Sequence, residues 1–524
     1  MIQEIERGWL TPEWERRVLQ VLVAVGIVVR SVRYFLRFPL WEDECFLVWN
    51  YVGNGYADLL EPLHPHQVAP VLYLWKQLTV VNLLGFNELS LRLTAFVGGI
   101  AVLLLFPRFA RRFVSGVPLL FAVALFAISY PCIRYAAEAK QYGVAMVVSF
   151  ALMAITARWW ERPERTRPLW ILAVFVPIAI GLSYSAVFVA GGVSLAVACV
   201  LLGSGVRRGW APWAVFNALL VSTFFLIVVP ISSGQAPSEL AFMRNHWLAS
   251  FPPVTEPFAL AGWFFETHAG QMLGYPVGGG PWLGSLAFLC VVVTFVVAWR
   301  RRDWRFLLLA FVPLFLHFVA AALRRYPYGV HAKFNFYLAP MFCVLIGTGA
   351  SALVMRCART LRAARRSVIV VITLFLCVGA GSVVRDFANP QKSPSDARTR
   401  AFARWFWFDM SHDGEVVCLF RDLGLSFSPQ EKNELSWLYG YLCNGQIYAP
   451  SREPPDLSRE RIRFVRYRVS GFDYDEAAFQ RWLAEKKEQF AFVGMETFSM
   501  PRYDKRDRWL LGVDHIDVYA FRQK

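Results

Sequence analysis

Residues 68–84 read VAPVLYLWKQLTVVNLL, and whether this run crosses a bilayer sets the orientation of every segment after it. A spanning helix needs roughly 17–25 predominantly apolar residues. Eleven other runs meet that need, near 18–36, 90–107, 117–133, 142–158, 168–184, 186–204, 211–231, 281–299, 305–323, 334–355 and 367–384. With the N-terminus inside and 68–84 kept out of the membrane, the inner loops receive Arg108, Arg111 and Arg112, then Arg158 to Arg167, then Arg207 and Arg208. Arg300 to Arg305 and Arg356 to Arg366 follow on the same side. This is the positive-inside pattern. If 68–84 crossed, every one of those clusters would invert. Lys76 and Gln77 in its middle also resist burial in lipid, so the run reads as an amphipathic helix on the outer surface.

The composition agrees with a polytopic membrane protein. The chain has 524 residues, 56% of them hydrophobic, with 44 Phe and 20 Trp. Its net charge of +16 is uneven. Residues 1–384 hold 32 Lys/Arg against 17 Asp/Glu, or +15, and residues 385–524 hold 22 against 21, or +1. The excess therefore lies between apolar spans where topology requires it, which argues against nucleic acid as a partner. The N-terminus carries Glu4, Glu6, Glu13 and Glu15 with no small-residue cleavage site after the first span, so that span is expected to stay as an anchor. Two domains are expected: 1–384, all-α and polytopic with about eleven transmembrane helices, and 385–524, a small α/β extracytoplasmic domain. Expected strands in the latter are 415–420, 461–469, 489–498 and 515–522, with a helix at 474–488. The last strand, HIDVYAF, alternates as a half-buried strand does.

Three acids, Glu42, Asp43 and Glu44, follow the first span. Beside a membrane they must face water or a protein cavity, and a carboxylate there can take a proton from a hydroxyl. Arg30, Arg33 and Arg37 precede them at helical spacing and either neutralise these acids or snorkel to the interface. In the second outer turn, Arg134, Glu138 and Tyr142 are spaced to share a helix face. Arg134 and Glu138 either pair with each other, or Arg134 or Lys140 binds a phosphate while Glu138 holds it in position. Arg324, Arg325 and Lys333 open the tenth span, as phosphate ligands or as attraction to anionic headgroups. His64-Pro65-His66 offers a metal, a hydrogen bond to a donor phosphate or sugar, or plain loop structure. Metal is not favoured, because Pro65 does not aim both rings at one ion, and no other cofactor is indicated. GxGxxG, P-loop, GxSxG and HExxH patterns are missing from the sequence, which argues against soluble nucleotide chemistry, serine hydrolysis and zinc proteolysis. The nine cysteines show no CxxC spacing. Five lie in or near spans as packing residues, while Cys418 and Cys443 could join if the tail is outside.

Three stretches carry a resemblance: Asp43-Glu44; the His64-Pro65-His66 loop running through Gly85, Glu88 and Arg92; and Tyr135-Ala136-Ala137-Glu138-Ala139-Lys140-Gln141-Tyr142. Together with Tyr337, Leu338 and Pro340 they resemble the C-type (GT-C) integral-membrane glycosyltransferases, in particular the protein O-mannosyltransferases, the lipid A aminoarabinose transferases and the lipopolysaccharide-core galacturonosyltransferase-like enzymes. The resemblance implies a polyprenyl-phosphate sugar as donor and Asp43 as catalytic base, with Glu44 a second base or orienting acid. It implies donor contacts from His64, His66, Arg134, Tyr135, Glu138, Lys140, Tyr142, Arg324, Arg325 and Lys333. Phe336 stands where such enzymes tend to have Arg, Lys140 replaces a commoner Arg, and His66 replaces a commoner Pro.

The function expected is transfer of a sugar to an acceptor hydroxyl of a cell-envelope glycan, lipid or protein at the outer face of a bacterial inner or plasma membrane, with inversion. The N-terminus would be cytoplasmic and the C-terminal domain extracytoplasmic. The alternatives are a transporter or flippase of lipid-linked glycans, which should show mid-membrane charges, discontinuous spans and related halves, and a non-catalytic envelope scaffold.

Overall fold

The computed structural model describes residues 10–63, 67–230, 237–278, 282, 284–358, 360–389, 394–404, 415–419, 443–444, 447, 460–469, 476–503 and 510–524. They form two compact units. The first holds residues up to 37, 54–84 and 89–388, and the second holds 38–53, 85–88 and 389–524.

The first unit is helical. Eight of its helices are long and apolar enough to cross a membrane, from Pro12–Phe35 to Leu361–Ala388, and a ninth span forms if the bent pair Val117–Ile128 and Tyr130–Ala137 is counted as one. The runs expected near 168–184 and 281–299 are the shorter helices Arg167–Leu182 and Ser285–Arg300. The described helices therefore support eight or nine spans rather than the eleven expected. Large apolar side chains such as Val21, Val174, Leu202, Leu226, Leu286 and Leu374 point outward from them, as surfaces solvated by lipid do. The chain is an integral membrane protein.

The centre of this unit is Val117–Ile128, in which every residue but Pro118 is buried. Ala339–Cys357 packs along it, and a Cβ on Gly347 would come 2.5 Å from the Ala122 nitrogen. Helix backbones approach that closely in membranes only at small residues. The helix stops at Ser129, whose ψ of 131° is extended, and restarts at Tyr130 with Pro131 in its first turn. The two pieces are bent by 48°. The carbonyls freed at the break are met by Arg30, whose guanidinium donates to Ala127 O at 2.6 Å, Phe126 O at 2.7 Å and its own Gly26 O at 3.0 Å. A cation at a helix C-terminus is favoured by the helix dipole. The expectation that Arg30 snorkels or neutralises the outer acids is thus corrected, because it caps a broken span inside the helical unit. Its neighbour Arg33 pairs with Asp386 at 2.6 Å.

Val71–Leu84 is a helix of 14 residues, shorter than a crossing. Tyr73, Leu74, Gln77, Leu78 and Val81 form its buried stripe, and it packs on Arg167–Leu182, where Leu72 lies against Gly181. Gln77 is satisfied by protein, donating to Ser90 O and Leu91 O and accepting from Thr94.

The second unit contains a four-stranded sheet in the order β1-β2-β4-β3. β1 (Glu415–Leu419) runs parallel to β2 (Arg461–Val469), while β3 (Ala491–Tyr503) and β4 (Leu510–Arg522) add antiparallel neighbours. One face buries Ile462, Phe464, Phe479, Leu483, Tyr519 and Phe521 together, with helix Glu476–Gln489 supplying Phe479 and Leu483. The last strand is not half-buried as its alternation suggested. Ile516 and Val518 are buried on the other face, where Phe402 of helix Pro394–Arg404 meets Phe498 at 5.6 Å.

Candidate active site

The acids of the first outer loop lie in the second unit, on the short helix Glu42–Val48. All three sit in its first turn, where unpaired backbone N–H groups favour negative charge. They divide by burial. Glu44 is buried and accepts from the backbone N–H of Trp41 at 3.3 Å, so it closes the start of its own helix. Asp43 is half-buried. In the same unit Glu88 pairs with Arg400 at 3.3 Å.

The basic and aromatic candidates converge at one end of the helical unit. Arg134 ends the bent span, Tyr135–Ala137 makes one tight turn, and Glu138 is extended at φ −128°, ψ 131°. The single helical face expected for Arg134, Glu138 and Tyr142 is therefore not formed, because the helix breaks at Glu138 and restarts at Tyr142. Arg134 Nε still reaches Glu138 Oε2 at 3.2 Å, and Tyr142 packs edge-on against Tyr135 with centroids 5.5 Å apart. Phe336 is fully buried and meets Tyr135 at 4.7 Å, so this position makes an aromatic contact instead of presenting a cation.

Lys140 is buried and donates to Gln67 at 2.6 Å, which joins this turn to the first outer loop. His64 and His66, three and one residues before Gln67, lie outside the described residues. Lys333 sits over the ring of Trp247 at 4.4 Å, with Phe334 at 5.5 Å and Tyr142 at 5.9 Å. Such aromatic faces hold an ammonium through the ring quadrupole. Arg324 and Arg325 are exposed, and among the described residues they enter no ion pair.

Lys333 and Tyr142 line a small concavity of about 30 Å³ with Gln141, Ser183, Tyr184, Ser185, Tyr326 and Tyr337. That volume admits a hydroxyl-sized group, not a whole sugar ring. The lining is hydroxyl-rich, and burial pushes the phenols of Tyr184 and Tyr326 up, that of Tyr326 to about 12, so they remain O–H donors. Gln141 Oε1 and Glu138 Oε1 are buried without a hydrogen-bond partner among the described residues. Two acceptors left open three residues apart suit hydroxyl donors from outside the chain. A larger groove of about 350 Å³, lined by Arg16, Gln20, Arg108 and Arg111, lies toward the other end of Pro12–Phe35 and holds none of these groups.

Sequence reading missed the scaffold behind Lys333. His317 is fully buried and stacks on Phe188 at 4.8 Å. Its Nε2 lies 2.8 Å from Pro327 O, and its Nδ1 lies 3.1 Å from Tyr337 Oη and 3.2 Å from Asn335 Nδ2. A carbonyl only accepts and an amide NH2 only donates, so the proton belongs on Nε2. Asn335 Oδ1 then accepts from Gly329 N at 2.9 Å. Gly329 has φ +73°, and a Cβ there would collide with Thr267, so this turn requires glycine. One histidine thus fixes both ends of the segment that carries Lys333. The signal was available, since an ionisable residue inside an apolar run calls for a partner.

No protein-family model matches the chain, and no curated protein matches it. Among solved structures it is similar to ArnT from Cupriavidus metallidurans bound to undecaprenyl phosphate, with TM-score 0.49 and 14% identity over 95% of this chain and 97% of that one. The apo ArnT structure gives 0.48 and 15% over the same shares. The Archaeoglobus fulgidus oligosaccharyltransferase in the apo form gives 0.42 and 12% over 78% of this chain and 59% of that one. At such scores and identities the likeness carries no functional argument.

Proposed function

We propose that this chain is a membrane glycosyltransferase that moves a sugar from a polyprenyl-phosphate donor to an acceptor hydroxyl at the outer face of the membrane. The observation that carries the reading is a hydroxyl-rich concavity lined by Lys333 and by Gln141, whose Oε1 is an open acceptor, beside the turn that carries Arg134 and Lys140. Cations answer the phosphate and hydroxyls answer the sugar.

In the reaction, the acceptor oxygen attacks the anomeric carbon and the bond from that carbon to the phosphate oxygen breaks. The polyprenyl monophosphate leaves with its electron pair, and the configuration inverts. The leaving group carries its charge away, so cations stabilise it more than a general acid would. Lys333, Lys140 and Arg134 are assigned to the phosphate, with Glu138 orienting Arg134. Tyr135 and Tyr142 pack beside them, and Arg324 and Arg325 draw in the anionic donor. His64 and His66 are assigned to donor contacts in the first outer loop. Asp43 takes the acceptor proton, while Glu44 holds the helix that presents Asp43. The acceptor is a cell-envelope glycan, lipid or protein, and no metal takes part, so transfer continues under thorough chelation.

We assign the protein to a bacterial inner or plasma membrane with the N-terminus cytoplasmic and the domain at 385–524 extracytoplasmic. A periplasmic-type reporter fused after residue 384 should be active, and one fused near residue 207 silent. Purified protein offered a panel of polyprenyl-phosphate sugars should release polyprenyl phosphate from at least one of them in the presence of envelope acceptors. Release from none, with intact folded protein, contradicts the reading.

A further inference from the structure

Cys45 and Cys443 are 398 residues apart in sequence, yet both belong to the second unit and both are completely buried. The Cys443 thiol donates to the backbone carbonyl of Cys45 at 3.6 Å. Cys45 lies two residues beyond Asp43 on helix Glu42–Val48, and Cys443 comes from the C-terminal domain. Two buried cysteines this near to each other are simple packing in a reducing compartment. In an oxidising compartment a neighbouring pair is open to conversion to a crosslink.

We propose that Cys45 and Cys443 form a disulfide in the mature protein, tying the helix that carries Asp43 to the C-terminal domain. The inference rests on the extracytoplasmic placement of that domain given above. The sequence suggested Cys418 as the partner of Cys443; the side chain of Cys418 lies outside the described residues, and the thiol found against Cys443 is that of Cys45. The oxidant is a protein or small-molecule disulfide of the outer compartment. A thiolate of the pair attacks it, the mixed disulfide is resolved by the other thiol, and the S–S bond of Cys45 and Cys443 forms. Two electrons reduce the oxidant's disulfide to two thiols, which also take up the two protons released. In the folded unit the neighbouring Cys443 thiol, burial and the nearby acids Glu44 and Asp396 push the Cys45 thiol well up. Thiolate attack by the folded pair is then suppressed, so the bond forms while the chain folds, and burial of both residues shields it from exchange afterwards. Glu88 and Arg400 make a second, ionic tie between an outer-loop segment and the same domain.

The test uses the full chain purified from membranes without reductant. The protein is acid-quenched, alkylated with N-ethylmaleimide in denaturant, digested and analysed by mass spectrometry. The expected result is a Cys45–Cys443 linked peptide in most molecules, abolished by Cys443→Ser and unaffected by Cys418→Ser. Alkylation of both Cys45 and Cys443 in the unaltered protein overturns the inference, as does a Cys418–Cys443 link. The reporter fused after residue 384 separates the two levels. Free thiols with an active reporter sink the crosslink alone, whereas free thiols with a silent reporter sink the topology with it.

Discussion

Lys140 Nζ lies 2.6 Å from Gln67 Oε1, joining two segments 73 residues apart. Lys140 is buried, so this acceptor replaces water that the ammonium has lost. Gln67→Leu removes it without adding charge. The expected result is a loss of about 1–3 kcal/mol in stability and a rise in donor KM of roughly tenfold with a smaller change in kcat. Gln67→Glu should restore much of both. Thermal unfolding in detergent together with steady-state kinetics checks this, and unchanged donor KM in Gln67→Leu would detach Lys140 from donor use.

His317 sets the segment from Pro327 to Tyr337 through hydrogen bonds at both ring nitrogens. His317→Phe retains the stack on Phe188 but leaves Pro327 O and Tyr337 Oη without the imidazole. Stability should fall by about 2–4 kcal/mol, since buried polar groups are orphaned. Hydrogen exchange should quicken at 327–337 before it does elsewhere. Protection unchanged in that segment would show that other contacts hold it.

Lys76 Nζ lies 4.6 Å from the Tyr73 ring centroid and has no hydrogen-bond partner among the described residues. Burial lowers its ammonium to about 7. An unfolded lysine titrates near 10.4, so between these values the unfolded chain binds more protons and stability rises with pH. Below about pH 7 the cost of the buried charge is fully present. Lys76→Met should therefore stabilise the protein by on the order of 2–4 kcal/mol at pH 6–7, with the gain shrinking towards pH 10. Thermal melts across pH check it, and a gain that does not change with pH would place the effect in packing instead of charge.

How much of this was legible in the sequence depended on the range of the contact. The membrane architecture was readable because Arg clusters and apolar runs alternate along the chain, and each is a local signal. The reading of 68–84 as a non-crossing helix followed from the same charges. The Arg134–Glu138 pair was also legible, because four residues bring them together in a helix and, as it turns out, across a broken one as well. The break itself was not, since it depends on Arg30, more than ninety residues earlier, capping Phe126 and Ala127. Glu44 could not be told from Asp43 by residue type; only burial and the bond from Trp41 separate them. The contact of Cys45 with Cys443 and the hold of His317 on Pro327 and Tyr337 are tertiary, and a single sequence does not encode which distant partners meet.

The central claim is that Asp43 does proton chemistry while the cations serve the donor, and the two roles separate in one paired measurement. Donor binding and single-turnover transfer are measured on Asp43→Asn and Lys333→Ala in the same detergent preparation. Asp43→Asn should bind the polyprenyl-phosphate sugar within about twofold of the unaltered protein and lose transfer by roughly 10²–10⁴. Lys333→Ala should weaken donor binding and slow transfer together. Transfer by Asp43→Asn at the unaltered rate, or donor binding lost in parallel with transfer, would contradict the assignment of Asp43 as the base.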